Sequence, residues 1–477
     1  MNFCKSSILV AALAMGFAFT SCDNDDDLIF SGKPVADAQM RTALKSMGYQ
    51  FNDEGNLLMD AKVAATDSLD LSGSKLTDLS DLVLFPNLKY VDLSNNGYGP
   101  VYDFANLPKN IEGVDLTGNE IYDFEGLVDA KVENDEVKTT ILRKLTGLQL
   151  PATAKWNVED LMPFYMQNKA EGTAVNMTMA DENGEMKAYT TLREVPDTHF
   201  RTFLKQSLPK IFTSDDKIDI SKPVAKMDMA NFQLQYLYQF EHLPDIKSIE
   251  GIEYVINNPY YPENYVVFGY EDVTAPRQFS VGYVMPRSNI KGLWLTQTTT
   301  KGLDLSKATS LVNLRLTGNE NLVSLDLSKT LIANQDYKAF DHNLGNLMNC
   351  NNCKNLESII FPDMKNGGVV SGIELRDLPS LKKLDCKSIH GMGYLTLLKL
   401  GDCKIVYPEL THVYANMAGE PTLEPIANTS LKVTLAVSQD VFDKGAETFI
   451  RKYREVLTDG WLHFRKVGAI RWIKLVD

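Results

Sequence analysis

The sequence predicts an α/β fold that winds into a solenoid of short stacked repeats, organised as two capped modules with a small β-containing insertion between them. Three observations carry this. A template of spaced apolar residues closed by Asn occurs twice between Leu88 and Ile121, the opening of the chain recurs in the same order from Val195, and LxL segments ten to eleven residues apart follow from Leu293.

The template reads Leu88, Val91, Leu93, Asn96, and then Ile111, Val114, Leu116, Asn119, Ile121. Alternating apolar residues turn one side of a short strand inward, and Asn can place its amide on the backbone of the bend that follows. One such unit cannot bury its own apolar face, so neighbours must stack, leaving a strand face or flanking loops free to bind. The spacing LxxLxLxxNxL resembles that of the leucine-rich-repeat family. That resemblance implies a curved binding scaffold and leaves the ligand open.

A chain of 477 residues is too long for one ordinary domain unless a solenoid carries much of it, and 44 % hydrophobic residues are ample for a core. The balance of 48 basic against 62 acidic residues, net −14, argues against nucleic acid, because a phosphate-binding face needs clustered Lys and Arg.

Residues 1–21 read as a signal peptide. Lys5 supplies the positive start, Ile8 to Phe19 an apolar run too short to span a membrane, and Phe19, Thr20 and Ser21 lead into Cys22. A small residue before Cys at this place resembles the lipobox of bacterial lipoproteins, which implies lipidation of Cys22. The tether 22–31 carries Asp23, Asn24, Asp25, Asp26 and Asp27. This acidic run resembles the surface-export signal of Bacteroidetes lipoproteins; the plain alternative is a solvated spacer.

The first module, 32–128, opens on VADAQMRTALK, and the same pattern returns as VPDTHFRTFLK from Val195, followed in both copies by matching segments (Leu69-Asp70-Leu71 with Met227-Asp228-Met229). Val35, Met40, Ala43, Leu44 and Met47 fall on one face of a short helix suited to cover the open end of a stack. Pro196, Asp197, Phe200, Arg201 and Leu204 resemble the PDxxFRxxL cap motif of bacterial leucine-rich-repeat proteins, in which a calcium-binding loop often follows. Here the loop puts Gln50 and Ala61 where calcium needs carboxylates, so Asn52, Asp53 and Glu54 read as an ordinary turn.

Residues 129–190 carry no repeat and read as an insertion or linker domain, with a helix in 155–166. A hairpin turns at Asp181-Glu182-Asn183-Gly184, leaving Met177, Met179, Met186 and Ala188 for one buried side. The segment 191–289 holds the second cap, one repeat and a stretch rich in aromatics: Tyr254, Tyr260, Tyr261, Tyr265, Phe268, Tyr270, Phe279 and Tyr283. Tyrosines on loops offer flat amphipathic area for sugar rings or peptide side chains, which makes Tyr260, Tyr261, Tyr265, Phe268 and Tyr270 candidate ligand contacts. Core packing against the flank of the solenoid is the favoured reading, since aromatic residues are chiefly core formers.

Repeats resume over 290–430, where Leu293, Leu303, Leu314 and Leu325 begin segments that would alternate between two sides of a thin coil. Cys353, Leu356, Ile359 and Pro362 resemble the CxxLxxIxxP pattern of BspA-like repeats, a class that implies adhesion. Residues 431–477 read as a C-terminal cap: Val441, Ala446, Phe449, Ile450, Tyr453 and Leu457 recur at helical spacing, then Trp461, Phe464, Ile470, Trp472 and Leu475 in strand order.

Catalytic chemistry has little support. Cys350 and Cys353 have CxxC spacing without a second pair, Cys386 replaces a template Leu and Cys403 takes the Asn/Cys position. They read as small buried hydrophobes, with a disulfide as the alternative in an exported chain. None of the six His lies in a nucleophile or metal motif. Asp70 and Asp92 are paired carboxylates on an outward face with no visible means of raising a pKa. The expectation is a non-enzymatic lipoprotein without cofactor, anchored in the outer membrane and surface-exposed, that binds an extracellular protein or glycan. A second expectation is an accessory glycan-binding subunit of an outer-membrane nutrient-capture system, and a third a hydrolase within 129–190.

Overall fold

The computed structural model describes residues 31–134, 136–231, 245–268, 278–333, 346–363, 368–417, 420–426, 433–453, 462–466 and 469–473. The leader, Cys22 and the acidic run lie outside the described residues. The fold is mixed α/β with many short strands and few helices, and no sheet among the described residues closes into a barrel.

The template strands are parallel neighbours. Ser68–Asp70, Tyr90–Asp92 and Gly113–Asp115 pair with Leu69, Val91 and Val114 in register, all three buried. Asn119 Oδ1 accepts the N–H groups of Asn96, Gly97 and Tyr98, and its Nδ2 donates to the carbonyls of Leu93 and Leu116. Asn96 repeats this one strand back, accepting from Leu76 and donating to Leu71. Each amide thereby satisfies backbone groups that the bend would bury unpaired. Asp70, Asp92 and Asp115 stand in one row, and each accepts the N–H two residues ahead, capping its own turn. Between these strands, Val101–Asp103 pairs in parallel with Asp123–Glu125, so the chain lays strands on two sides alternately.

The segment 129–190 is not a separate insertion. Gly147–Leu150 pairs in parallel with Gly113–Asp115, Asn176–Ala180 with Gly147–Leu150, and Met186–Ala188 closes the edge antiparallel. Leu148, Leu150 and Met177 share the core of the first module. Their strands lack the closing Asn, which is why the template misses them. Met186 and Ala188 are exposed instead of buried because their strand is the sheet's edge. The ribbon Val128–Glu133 with Glu136–Ile141 stands apart as its own antiparallel pair. The helix expected over 155–166 forms later, at Leu161–Glu171, after a tight turn at Ala152–Trp156.

In the second half, Asn264–Phe268, Ile290–Thr296, Asn313–Thr317, Leu347–Asn351, Gly368–Arg376, Ile389–Leu398 and Thr434–Val437 form one long parallel sheet. Interleaved with them, Phe279–Val284 pairs with Thr298–Leu303, and Ser324–Asp326, Ser358–Ile360, Lys383–Asp385 and Lys404–Val406 form a second parallel sheet. Leu293, Leu303, Leu314 and Leu325 therefore alternate between two sides, as their beat predicts. Helical turns from Gln439–Val441 to Glu447–Lys452 put Val441, Ala446, Phe449, Ile450 and Tyr453 into the core. The strands Leu462–Lys466 and Ala469–Ile473 then extend the long sheet. Leu457, Trp461 and Leu475 lie outside the described residues.

Both predicted capping helices form, at Ala38–Ser46 and Thr198–Ser207, with Met40 and Leu44 buried in one and Phe200 and Leu204 in the other. The loop after each is a tight turn whose flanks bridge, Phe51 to Leu57 and Phe212 to Ile218.

Candidate recognition surface

The tyrosine segment is spent on packing. Tyr261 is 3 % exposed and Tyr265 8 %, so neither offers an open ring to a ligand. Tyr260 is half-buried, and its hydroxyl donates to the Glu159 carbonyl at 2.7 Å. Phe268 ends an edge strand, and Tyr270 lies outside the described residues. Tyr254 stacks on Trp156 at 5.3 Å and Tyr283 on Tyr122 at 3.9 Å, joining the two halves of the chain. The ligand role expected of Tyr261 and Tyr265 is corrected accordingly. Large rings at a seam bury more area than loops at a surface could.

What the outside of the long sheet does present is a row of unlike side chains. Trp294, Arg315, Asn349, Glu374 and Thr396 are register partners on five successive parallel strands. They alternate with inward Leu293, Leu295, Leu314, Leu316, Met348, Cys350, Ile373, Leu375, Leu395 and Leu397, so they point away from the core. Strands about 4.8 Å apart make the row roughly 19 Å long. Trp294, Arg315 and Glu374 are half-buried, with part of each open to solvent, whereas Asn349 and Thr396 are buried.

Three of these side chains, Trp294, Arg315 and Glu374, are held in place. Trp294 Nε1 donates to Asn313 Oδ1 on the next strand at 2.7 Å, and the Arg315 guanidinium lies 3.9 Å from the centroid of the Trp294 ring. Arg376 Nε meets Glu374 Oε1 at 2.6 Å, and Asn351 donates to the same carboxylate at 3.4 Å. Tyr394 lies flat over its register partner Gly372, where any Cβ would collide with the ring, and Tyr265 lies over Gly292 in the same way. Burial raises the Tyr394 phenol above its ordinary value, Glu374 adds to the rise, and Arg315 and Arg376 oppose it. At neutral pH Tyr394 is therefore a protonated donor. Rigid placement of this kind on strands suits recognition, because little side-chain entropy remains to be lost on binding.

The sequence reading passed over this row. The signal was in the LxL segments themselves: in LWL, LRL, IEL and LTL the middle residue must face outward when its neighbours face in.

A second cluster sits at the seam between the halves. Arg287, 2 % exposed, reaches Asp123 Oδ1 at 3.4 Å and Glu159 Oε2 at 2.6 Å, while Lys307 Nζ reaches Asp123 Oδ2 at 2.6 Å. Asn157 donates to both Asp123 and Asp160. Burial pushes the Asp160 carboxyl up to about 8, and repulsion from Glu159 and Asp123 adds to this. Asp123 stays below its ordinary value because Arg287 and Lys307 outweigh its burial. Ligand atoms of Asp123, Glu159 and Asp160 lie within 4.8 Å of one another. Two fixed cations already occupy that space, so the donor set fits an ion-pair network and does not fit a metal site.

Cys350, Cys353, Cys386 and Cys403 are all buried in the second core, and no disulfide joins them. Cys350 and Cys353 share a hydrogen bond that raises the first thiol and lowers the second.

Comparison with known proteins gives no matching family model, no matching curated protein and no matching solved structure. The outer row is therefore read from its own geometry.

Proposed function

We propose that this chain is a non-enzymatic recognition protein of the cell surface, built as two leucine-rich-repeat modules in series. It is held to the outer membrane by a lipid on Cys22, and it contacts an extracellular protein or glycan through the outer face of the long parallel sheet. The observation that carries this is the row Trp294, Arg315, Asn349, Glu374 and Thr396, five different polar or aromatic residues in register across five strands, with Trp294, Arg315 and Glu374 held by side-chain contacts. The Asn ladder at Asn96 and Asn119 and the alternation of strands between two sides support the repeat assignment. The acidic balance of the chain speaks against nucleic acid as partner.

A second reading is an accessory glycan-binding subunit of a nutrient-capture system. It no longer rests on Tyr261 and Tyr265 but on the hydrogen-bonding groups of the same row. The test is a glycan and extracellular-matrix array probed with the mature chain from Ser31, beside a Trp294→Ala, Tyr394→Ala variant of unchanged melting temperature. Loss of the array signal in the variant is expected; an identical pattern of hits would remove the outer face from consideration.

A further inference from the structure

We infer that Arg315 is the anion contact of a binding site on the outer face, and that its ligand is a glycan bearing carboxylate groups, such as an oligo-uronate. This rests on the outer-face reading above and names the ligand class for it.

Arg315 is placed as a receptor group. Its guanidinium is pinned against Trp294 at 3.9 Å, and Trp294 is itself fixed by its hydrogen bond to Asn313. The Nε of Arg315 is buried without a hydrogen-bond partner, and no carboxylate among the described residues pairs with the side chain. The Nε atoms of Arg287 and Arg376 are likewise without a hydrogen-bond partner, and the contrast lies in the carboxylates: Arg287 has Asp123 and Glu159 beside it and Arg376 has Glu374. A half-buried guanidinium has lost part of its hydration, and in a chain of net charge −14 carboxylates are plentiful. Leaving Arg315 unpaired is costly unless an external carboxylate completes it through the planar fork.

The neighbours select among carboxylates. On one side of Arg315 the row continues with Asn349, whose Oδ1 is buried and has no hydrogen-bond partner, and Thr396 follows beyond Glu374. Tyr394, on the strand of Thr396, adds a phenol hydroxyl. The Tyr394 hydroxyl and the Glu374 carboxylate, both on half-buried side chains, suit a polyhydroxylated ligand, while the amide and hydroxyl of Asn349 and Thr396 are buried beside them. A span of roughly 19 Å also fits an extended chain laid across the strands.

The experiment is titration calorimetry of the mature chain with a galacturonate oligomer, its methyl ester, and a polyglutamate peptide, repeated for Arg315→Gln, Arg315→Lys and Tyr394→Ala. A panel of other uronate and sialyl oligosaccharides covers linkage differences, and melting temperatures confirm folding. The expected result is binding to an acidic oligosaccharide, weakened about ten-fold or more by esterification and by Arg315→Gln, and in part restored in Arg315→Lys. Binding of ester and acid alike, unchanged in Arg315→Gln but reduced in Tyr394→Ala, would overturn the carboxylate contact and leave the face as the binding surface. Polyglutamate bound in preference to every oligosaccharide, or no acidic oligosaccharide bound at all, would overturn the ligand class. Binding insensitive to all three variants would overturn the outer-face reading as well.

Discussion

Asp37 and Asp197 make the same two sets of hydrogen bonds in the two copies of the capping helix. One oxygen of each accepts the N–H groups two and three residues ahead, and the other accepts a pair from a later turn: Thr77 and Asp78 for Asp37, Lys247 and Ser248 for Asp197. A single carboxylate thus caps the helix and ties it to a segment 40 to 51 residues further along the chain.

Burial opposes ionisation at both positions, but the backbone donors outweigh it and hold both carboxyls below their ordinary value. A lowered folded pKa adds stability that is present above the unfolded value and is lost as pH falls through the folded one. Asp37→Ala and Asp197→Ala are each expected to cost about 1–2 kcal/mol at pH 7 and to flatten the loss of stability below about pH 4. Urea unfolding across pH 3 to 7 measures both, and acid slopes identical to the parent's would contradict the assignment.

The seam at Arg287 should behave as a coupled unit. Arg287→Met leaves Asp123 and Glu159 short of a buried counter-charge and is expected to destabilise the chain by about 3 kcal/mol or more. Adding Asp123→Asn should recover part of that cost, since it removes the unpaired charge. Strictly additive losses in a double-mutant cycle would mean that the network is not coupled.

Two buried acids at the seam predict an opposite pH dependence. Burial pushes Glu253 up to about 7 against backbone donors that include Gly251 and Gly282, and Asp160 rises to about 8. A raised folded pKa means that the stabilisation is complete below the unfolded value and is lost as pH rises through the folded one. Melting temperature should therefore fall as pH rises from about 4, the ordinary carboxyl value, to about 8, and Glu253→Gln together with Asp160→Asn should remove most of that fall. A pH-independent melting curve in the parent chain would refute the raised values.

The Asn ladder offers a fourth stability test. Asn119→Ala strips partners from three N–H groups and two carbonyls that are buried or half-buried at the bend. Leaving such groups unpaired costs about 1–3 kcal/mol apiece, so the variant is expected to lose at least about 3 kcal/mol. Asn110→Ala, which removes one bond to the Leu88 carbonyl, should cost about 1 kcal/mol, and equal losses at the two sites would argue against a special role for the ladder.

Legibility followed the strength of local signals. The strands at 90–92 and 113–115 carry both inward Leu and the closing Asn, and their sequence alone places them side by side. Those at 147–150 and 176–180 pair just as well but close without Asn, so the first sheet looked shorter than it is. The Asp37 and Asp197 caps were legible as a repeat, because a capping residue must precede its helix at a set distance. The seam was not legible, since Asp123, Glu159, Arg287 and Lys307 are brought together only by the stacking of coils far apart in sequence. The tyrosines were legible as packing groups but not in their partners: aromatic density marks either a surface or a seam, and composition cannot tell what will cover the rings.

The measurement that tests the central claim most directly compares the affinity of the mature chain for its strongest array ligand with that of two variants of equal melting temperature. One carries Trp294→Ala and Arg315→Gln on the outer face; the other carries Ser324→Ala and Lys383→Ala on the opposite sheet. The account predicts a loss of about ten-fold or more in the first and none in the second. Unchanged affinity in the first, with loss in the second, would place recognition on the other side of the fold.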